Sequence, residues 1–235
     1  MINSREGLLL REREIIRILY ILTDKNLDFV IVGGYAIATY KKRFSVDLDI
    51  IVKEEDLSKF ESILGKEKYH LEYDKDLELV YGEKFKRFGK KIKGFKVNVD
   101  LLINGLLSRT TDASWSFSYI KKHSSFRELD NLRFLTPERE LLIAMKLHSG
   151  RLSDIRDVVA LMPYNKEKVI MHCSKGKIEK LKKNIKRLKI FLEKPQFDDS
   201  FKGIFGIHVY VKDDVEETKR LINMILRNKN KDKNG

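Results

Sequence analysis

Between Ser45 and Val52 the chain alternates: Val46, Leu48, Ile50 and Val52 fall on one side, Asp47 and Asp49 on the other. A period of two is that of a strand with one buried face, and it projects both carboxylates together from the opposite face. A second segment repeats the pattern. From Phe95 to Leu101 the apolar residues alternate with Lys96, Asn98 and Asp100, so Asp100 stands on the polar face of its strand, where it can face the other two carboxylates. Ahead of both, Phe29 to Val32 is a short β-branched run ending at Gly33-Gly34, and Tyr35 to Lys42 then reads as a helix whose start the glycines form.

Around this unit the periodicity predicts an amphipathic helix over Leu8 to Leu22 and a helix from Asp56 to Leu64 with Asp56 as N-cap. Strands are predicted at Leu77 to Tyr81 and Phe95 to Ile103, with the basic stretch between them forming a hairpin. A loop and short strands fill Asn104 to Leu135. Thr136-Pro137-Glu138 then opens a helix, with Thr136 as cap and Pro137 at its first position. Further helices are expected over Leu152 to Leu161, Lys175 to Glu193 and Asp213 to Arg227, with a strand at Ile204 to Val211. The fold expected is α/β (α+β): a mixed β-sheet backed by helices through Leu135, followed by a mainly helical C-terminal part.

At 235 residues and 42% hydrophobic the chain can bury a substantial core. Its formal charge of +13 favours negatively charged partners such as nucleic acid, nucleoside triphosphates or an anionic surface. With Cys173 as the single cysteine there is no intrachain disulfide, and the five His show no zinc-site spacing, so a reducing cytoplasm fits. Leu8, Leu9 and Leu10 give way at once to Arg11, Glu12 and Arg13, which is no signal-peptide pattern, and no apolar run approaches the roughly 20 residues that span a bilayer. A soluble, membrane-free protein is expected.

Transfer of a nucleotidyl group requires an enzyme to hold a triphosphate, neutralise charge at the α-phosphate and deprotonate an acceptor hydroxyl. Gly33-Gly34 suits the first task, because glycine lets backbone amides approach phosphate oxygens closely. Asp47 and Asp49 suit the second as hard oxygen ligands for Mg²⁺ or Mn²⁺, and two-metal sites place their ions about 3.5–4 Å apart. Asp100 would supply the third carboxylate, binding the second ion and serving as general base.

These residues resemble the nucleotidyltransferase superfamily, whose fold is typified by DNA polymerase beta: a Gly-Gly motif on the first helix, an Asp-x-Asp strand and a later strand Asp. Val32-Gly33-Gly34-Tyr35-Ala36, followed by Arg43, Ser45, Asp47 and Asp49, looks especially like the minimal prokaryotic enzymes of the abortive-infection toxin type. Leu135-Thr136-Pro137-Glu138, then Leu141, Lys146-Leu147, Arg151, Asp154 and Asp157, resembles their downstream signature, in which a Lys and an Arg/Asp helix approach the nucleotide. The resemblance implies a catalytic core over 1–135, with 136–235 completing the nucleotide and acceptor cleft. It implies nucleotide contacts from Gly33, Gly34, Arg43, Ser45, Lys146 and Asp154, catalysis and metal binding by Asp47, Asp49 and Asp100, an NTP substrate, a toxin-like activity and an antitoxin partner. Two positions depart from the pattern: Ser153 stands where such toxins usually have Lys, and Tyr35 where many members have Ser.

The net charge favours RNA, such as a tRNA 3′ end, as acceptor, while a small-molecule or protein hydroxyl stays open. The stretch Lys84 to Lys93 interleaves aromatics with cations as an RNA surface does, or as a hairpin with one solvated and one buried face does. The Lys-rich segment around Lys180 to Lys189 has cations all round. Tyr35, Ser153 and this basic surface also motivate a reading in which the scaffold binds nucleic acid without catalysis, against which Asp47, Asp49 and Asp100 argue.

Overall fold

Asp49 and Asp100 become neighbours because their strands pair in parallel, and the rest of the fold is built outward from that pair. The computed structural model describes residues 4–74, 84–206, 210 and 212–228. It divides into two compact units, one of Met1–Leu107 with Trp115–Glu138 and one of Ser108–Ser114 with Arg139–Gly235.

The first unit runs α1 (Ser4–Asp24), β1 (Phe29–Val32), α2 (Gly33–Ala38), β2 (Asp47–Val52), a 3-10 turn at Glu54–Asp56, α3 (Leu57–Lys66), β3 (His70–Asp74), β4 (Phe85–Ile92) and β5 (Phe95–Ile103). After β6 (Gly105–Ser108) and β7 (Ala113–Ser116), a two-stranded ribbon, come α4 (Phe117–Lys122), β8 (Ser124–Leu129) and β9 (Leu132–Pro137). Seven strands form one mixed sheet in the order β3-β4-β5-β2-β1-β9-β8, with β2/β5 and β1/β9 parallel and the other pairs antiparallel.

On the apolar face Leu48, Ile50 and Val52 pair with Val99, Leu101 and Ile103. Helix α1 lies across this face, burying Ile15, Ile18, Leu19 and Leu22 at helical spacing. Helix α3 joins it through Phe60, whose ring meets Phe29 edge-on at 6.1 Å. Each such fully buried side chain contributes about 1.5–3 kcal/mol. Lys86 and Lys90 of β4 also point to this side, donating to Glu61 of α3 and Glu14 of α1 at 2.7 and 2.8 Å.

The second unit holds α5 (Arg139–Ser149), a 3-10 turn at Leu152–Asp154, α6 (Ile155–Ala160), α7 (Lys166–Cys173), α8 (Ile178–Leu192), α9 (Gln196–Phe205) and α10 (Lys212–Arg227). The end of α5 is closed by a buried polar network: Ser108, Thr110 and Asn184 all donate to the His148 carbonyl. His148 Nε2 lies 3.0 Å from the Cys173 carbonyl, which can only accept, so that nitrogen carries the proton and Nδ1 accepts from Thr111 at 2.7 Å. Burial pulls its pKa down to about 4, keeping the ring neutral at pH 7.

A mixed sheet backed by helices and a mainly helical C-terminal part are as the periodicity predicts; several local readings are not. Asp56 occupies the N-cap position of α3, but its side chain makes no capping bond: it closes a 3-10 turn with φ −98° and ψ −5°, not extended backbone, and its carboxylate accepts from Lys59. Thr136 and Pro137 belong to β9, paired with Ser125 and Ser124, and the buried Thr136 hydroxyl finds no hydrogen-bond partner among the described residues. Sheet pairing overrides the local cap signal there. Ile204 and Phe205 end α9, whose Phe197, Phe201 and Phe205 form a buried stripe at four-residue spacing. The α8 cations do not surround the helix, since Leu181, Ile185, Leu188 and Leu192 make one buried face. The strand expected at Leu77 to Tyr81 lies outside the described residues, as do positions 207–209 and 211. No described helix is long and apolar enough to cross a membrane.

Candidate active site

In the parallel β2/β5 ladder Asp47 pairs with Asn98 and Asp49 with Asp100. Paired residues of a ladder share a face, and residues two apart along a strand share it too, so all four project from the side of the sheet opposite α1 and α3. Antiparallel β4 adds Arg87 opposite Asp100. Its guanidinium grips that carboxylate with both arms, Nε to Oδ1 at 2.8 Å and Nη2 to Oδ2 at 2.6 Å. Asn98 Nδ2 donates to Asp47 Oδ1 at 2.9 Å.

The three carboxylates differ in setting. Asp47 and Asp49 are half-buried, while the Asp100 side chain is 5% exposed. Burial pushes the Asp100 pKa up, Arg87 pulls it back, and the charges of Asp47 and Glu72 add to the rise, leaving it above the usual carboxylate range. An acid so placed is a stronger proton acceptor than a solvated one once ionised.

The Gly-Gly turn is fitted against this cluster. Gly33 has φ +64°, and a Cβ there would fall 1.9 Å from Asp49 Oδ2; one on Gly34 would fall 2.2 Å from Ser45 Oγ. Ser45 Oγ in turn donates to the Asp47 carbonyl at 3.2 Å, and the Arg43 guanidinium lies 3.5 Å from where the Gly34 Cβ would be. Arg43 Nε donates to the Phe44 carbonyl. Tyr35 is buried, and its hydroxyl donates to the Ser45 carbonyl at 3.3 Å, so it braces the loop that carries Ser45 and Arg43. Gly33, Gly34, Arg43, Ser45, Asp47, Asp49 and Asp100 are thus gathered at one place in the first unit. Replacing Gly33 by Ala is expected to cost about 1–2 kcal/mol for the left-handed backbone alone, and to displace the Asp49 carboxylate. A lowered Tm together with weakened Mn²⁺ binding would show it; Mn²⁺ binding equal to wild type would exclude the contact with Asp49.

Lys146 and Asp154 belong to the second unit, where they form a buried cluster of their own. Lys146 Nζ lies 3.1 Å from Asp154 and 2.8 Å from Asp157, and Arg151 Nε lies 3.0 Å from Asp154. Ser149 also donates to Asp154. Ser153 is exposed in the adjoining 3-10 turn.

Two site residues escaped the sequence reading. Asn98 stands two before Asp100 as Asp47 stands before Asp49, a spacing that marks it as a member of the same face. Arg87 carried no such mark, being one of six cations between Lys84 and Lys93, and only the β4/β5 register sets it apart from its neighbours.

The donor set suits a small divalent cation. Asp47 and Asp49 offer hard oxygens side by side, and Asn98 Oδ1 is buried beside them with no hydrogen-bond partner among the described residues. Such an ion would be held by Asp47 and Asp49, with Asn98 bonded to the first of them.

No family model matches this chain, and neither does any curated protein. Among solved structures it is similar to the lincosamide antibiotic adenylyltransferase LnuA with lincomycin bound, at 14% identity and a TM-score of 0.40 over 56% of this chain and 83% of that one. A nucleotidyltransferase of Thermotoga maritima aligns at 17% identity and a TM-score of 0.44 over 61% and 88%. The antibiotic-resistance factor ANT(2'')-Ia aligns at 16% and 0.40 over 72% and 86%.

Proposed function

We propose that this chain is a divalent-metal-dependent nucleotidyltransferase that moves a nucleoside monophosphate from an NTP to an acceptor hydroxyl. One observation carries the reading: the Asp49↔Asp100 register, which sets three carboxylates on one sheet face beside a glycine turn that could hold no side chain. A bound Mg²⁺ would supply positive charge at the α-phosphate. Asp47 and Asp49 would hold the ion, with Asn98 fixing the Asp47 carboxylate. The turn at Gly33-Gly34 packs without side chains against Asp49 and Ser45; its backbone amides would approach the triphosphate oxygens, and Ser45 and Arg43, braced by Tyr35, would meet them as well. Asp100 accepts the proton of the attacking hydroxyl as its oxygen bonds to the α-phosphate and the α–β anhydride bond breaks, releasing pyrophosphate. Lys146 and Asp154 hold the second unit together in this reading, since the Lys146 ammonium already serves two carboxylates.

For the acceptor, the charge of +13 speaks for RNA. The surface that would meet it is smaller than the basic stretch suggests, because Lys84, Lys86, Arg87 and Lys90 are committed to Glu54, Glu61, Asp100 and Glu14. Lys91 and Lys93 remain exposed on that hairpin. A toxin-like role and an antitoxin partner draw support from the motif resemblance alone.

Incubation with each α-labelled NTP, Mg²⁺ and a mixture of total RNA and small hydroxyl compounds tests the reading, with labelled RNA, protein and small molecules then separated. Transfer of label to any of them, lost in Asp49→Asn, is the expected result; no transfer from any triphosphate would count against the enzyme. With RNA as acceptor, Lys91→Ala and Lys93→Ala together should flatten the salt dependence of RNA binding by about 0.7–0.9 for each phosphate that is no longer neutralised. An unchanged slope would move the acceptor to the small-molecule fraction.

A further inference from the structure

Both oxygens of the Asp100 carboxylate are already engaged by a cation of the chain itself. The Arg87–Asp100 pair is set by the sheet: the two residues face each other across the β4/β5 ladder, so their Cα atoms cannot separate without breaking it. Both Nε and Nη2 are used, in the two-pronged geometry that only a guanidinium offers. The pair is also withdrawn from water, with the Asp100 side chain 5% and the Arg87 side chain 28% exposed and the guanidinium lying 5.7 Å from the Phe85 ring centre. Pulling such a pair apart leaves an uncompensated buried charge. The Arg87 charge is also felt by Asp47 and Asp49. Asp47 and Asp49 are half-buried, and Asp49 lies against the glycine turn.

We propose that Arg87 is a positioning residue that takes the place of a second metal ion: the site works with one divalent cation on Asp47 and Asp49, while the Arg87 guanidinium holds and compensates Asp100. This rests on the nucleotidyltransferase reading above and replaces the second ion that sequence considerations assign to Asp100. In two-metal sites a pair of ions about 3.5–4 Å apart neutralises the carboxylates and phosphates together. Here the second unit of charge is built into β4, permanently ionised and fixed in direction. Asp100, held by Arg87, keeps its remaining lone pairs for the acceptor hydroxyl without having to coordinate metal, and metal dependence follows a single site.

Mn²⁺ titration of the full chain, followed by electron paramagnetic resonance and calorimetry, counts the ions directly and needs no turnover. The wild type is expected to bind one Mn²⁺ at the cluster, with affinity lost on Asp49→Asn and changed less than about threefold by Asp100→Asn, a difference under about 0.7 kcal/mol. Arg87→Met removes the competing cation and should gain a second Mn²⁺ equivalent, which Arg87→Met with Asp100→Asn loses again. Arg87→Lys, which keeps the charge without the fork, should stay at one ion; this variant also controls for folding of the β4/β5 hairpin. Two ions in the wild type, or an Asp100→Asn variant as weakened as Asp49→Asn, would overturn the proposal while leaving the nucleotidyltransferase reading intact. Mn²⁺ binding insensitive to Asp49→Asn would overturn both. An Arg87→Met chain that folds, as judged by its circular dichroism and cooperative melt, yet still binds one ion would also count against it.

Discussion

Asp49→Asn is expected to lower nucleotidyl transfer by roughly 10³-fold or more, because a ligand that helps hold a catalytic cation controls several kcal/mol of transition-state charge stabilisation. The side chain changes by one atom, and its position is half-buried on the polar face of the central strand β2, not in the apolar core. Stability should therefore move little. Removing one negative charge from a face that also carries Asp47 and Asp100 relieves repulsion, while the attraction to Arg87 lost with it acts the other way. Loss of transfer with retained melting behaviour is the signature of a catalytic ligand; transfer at the wild-type rate under saturating metal would remove Asp49 from the site. Asp47→Asn should behave alike but less cleanly, since its Oδ1 also accepts from Asn98 at 2.9 Å and an amide there leaves two amides facing each other.

The second large effect is on stability. Lys146→Met is expected to destabilise the second unit by about 3–5 kcal/mol, the cost of leaving a buried ion pair without one partner. Asp154 and Asp157 are both nearly inaccessible, and Lys146 is the cation they share. Burial by itself pushes the Asp154 carboxyl up, but the charges of Lys146 and Arg151 and the hydrogen bonds from Ser149 and Arg151 outweigh it and hold its pKa below the usual carboxylate range. A depressed folded pKa means that this contribution is present above the unfolded value of about 3.9 and is lost as pH falls through the folded value. Without Lys146 the balance tips toward burial and the carboxyl rises. The variant should then be most handicapped near neutral pH and recover part of the deficit on acidification, where the Asp154 carboxyl takes up a proton. Urea melts of wild type and variant at neutral and mildly acidic pH measure this, and a deficit that stays constant or widens on acidification would show that the cluster is not the cause.

The same distinction between a local pattern and a distant partner runs through the fold. Strand β1 begins and ends where the β-branched run does, and β5 spans Phe95–Ile103 as its alternation predicts, because a strand with one buried face writes its period directly into adjacent residues. Local signals failed where a contact far along the chain decided the outcome. Thr136-Pro137 carries the marks of a helix start yet is held in β9 by pairing with Ser124 and Ser125, and Ile204-Phe205 continues α9 because Phe197, Phe201 and Phe205 are buried together.

What the sequence by itself determined is which residues share a face within one element: Asp47 with Asp49, Asn98 with Asp100, and a glycine pair immediately after a strand. That follows from covalent spacing and the two-residue period, which need no partner. Tertiary structure alone decided which faces meet. Parallel pairing of β2 with β5 in the register Asp49↔Asp100 completes the carboxylate cluster, and the β4/β5 register selects Arg87 out of a run of cations to hold Asp100. Register is chosen by burial of the apolar face as a whole, since a slip of one residue would turn Leu48, Ile50, Val99 and Leu101 to the polar side. The position of the charged site is therefore set by the hydrophobic residues behind it.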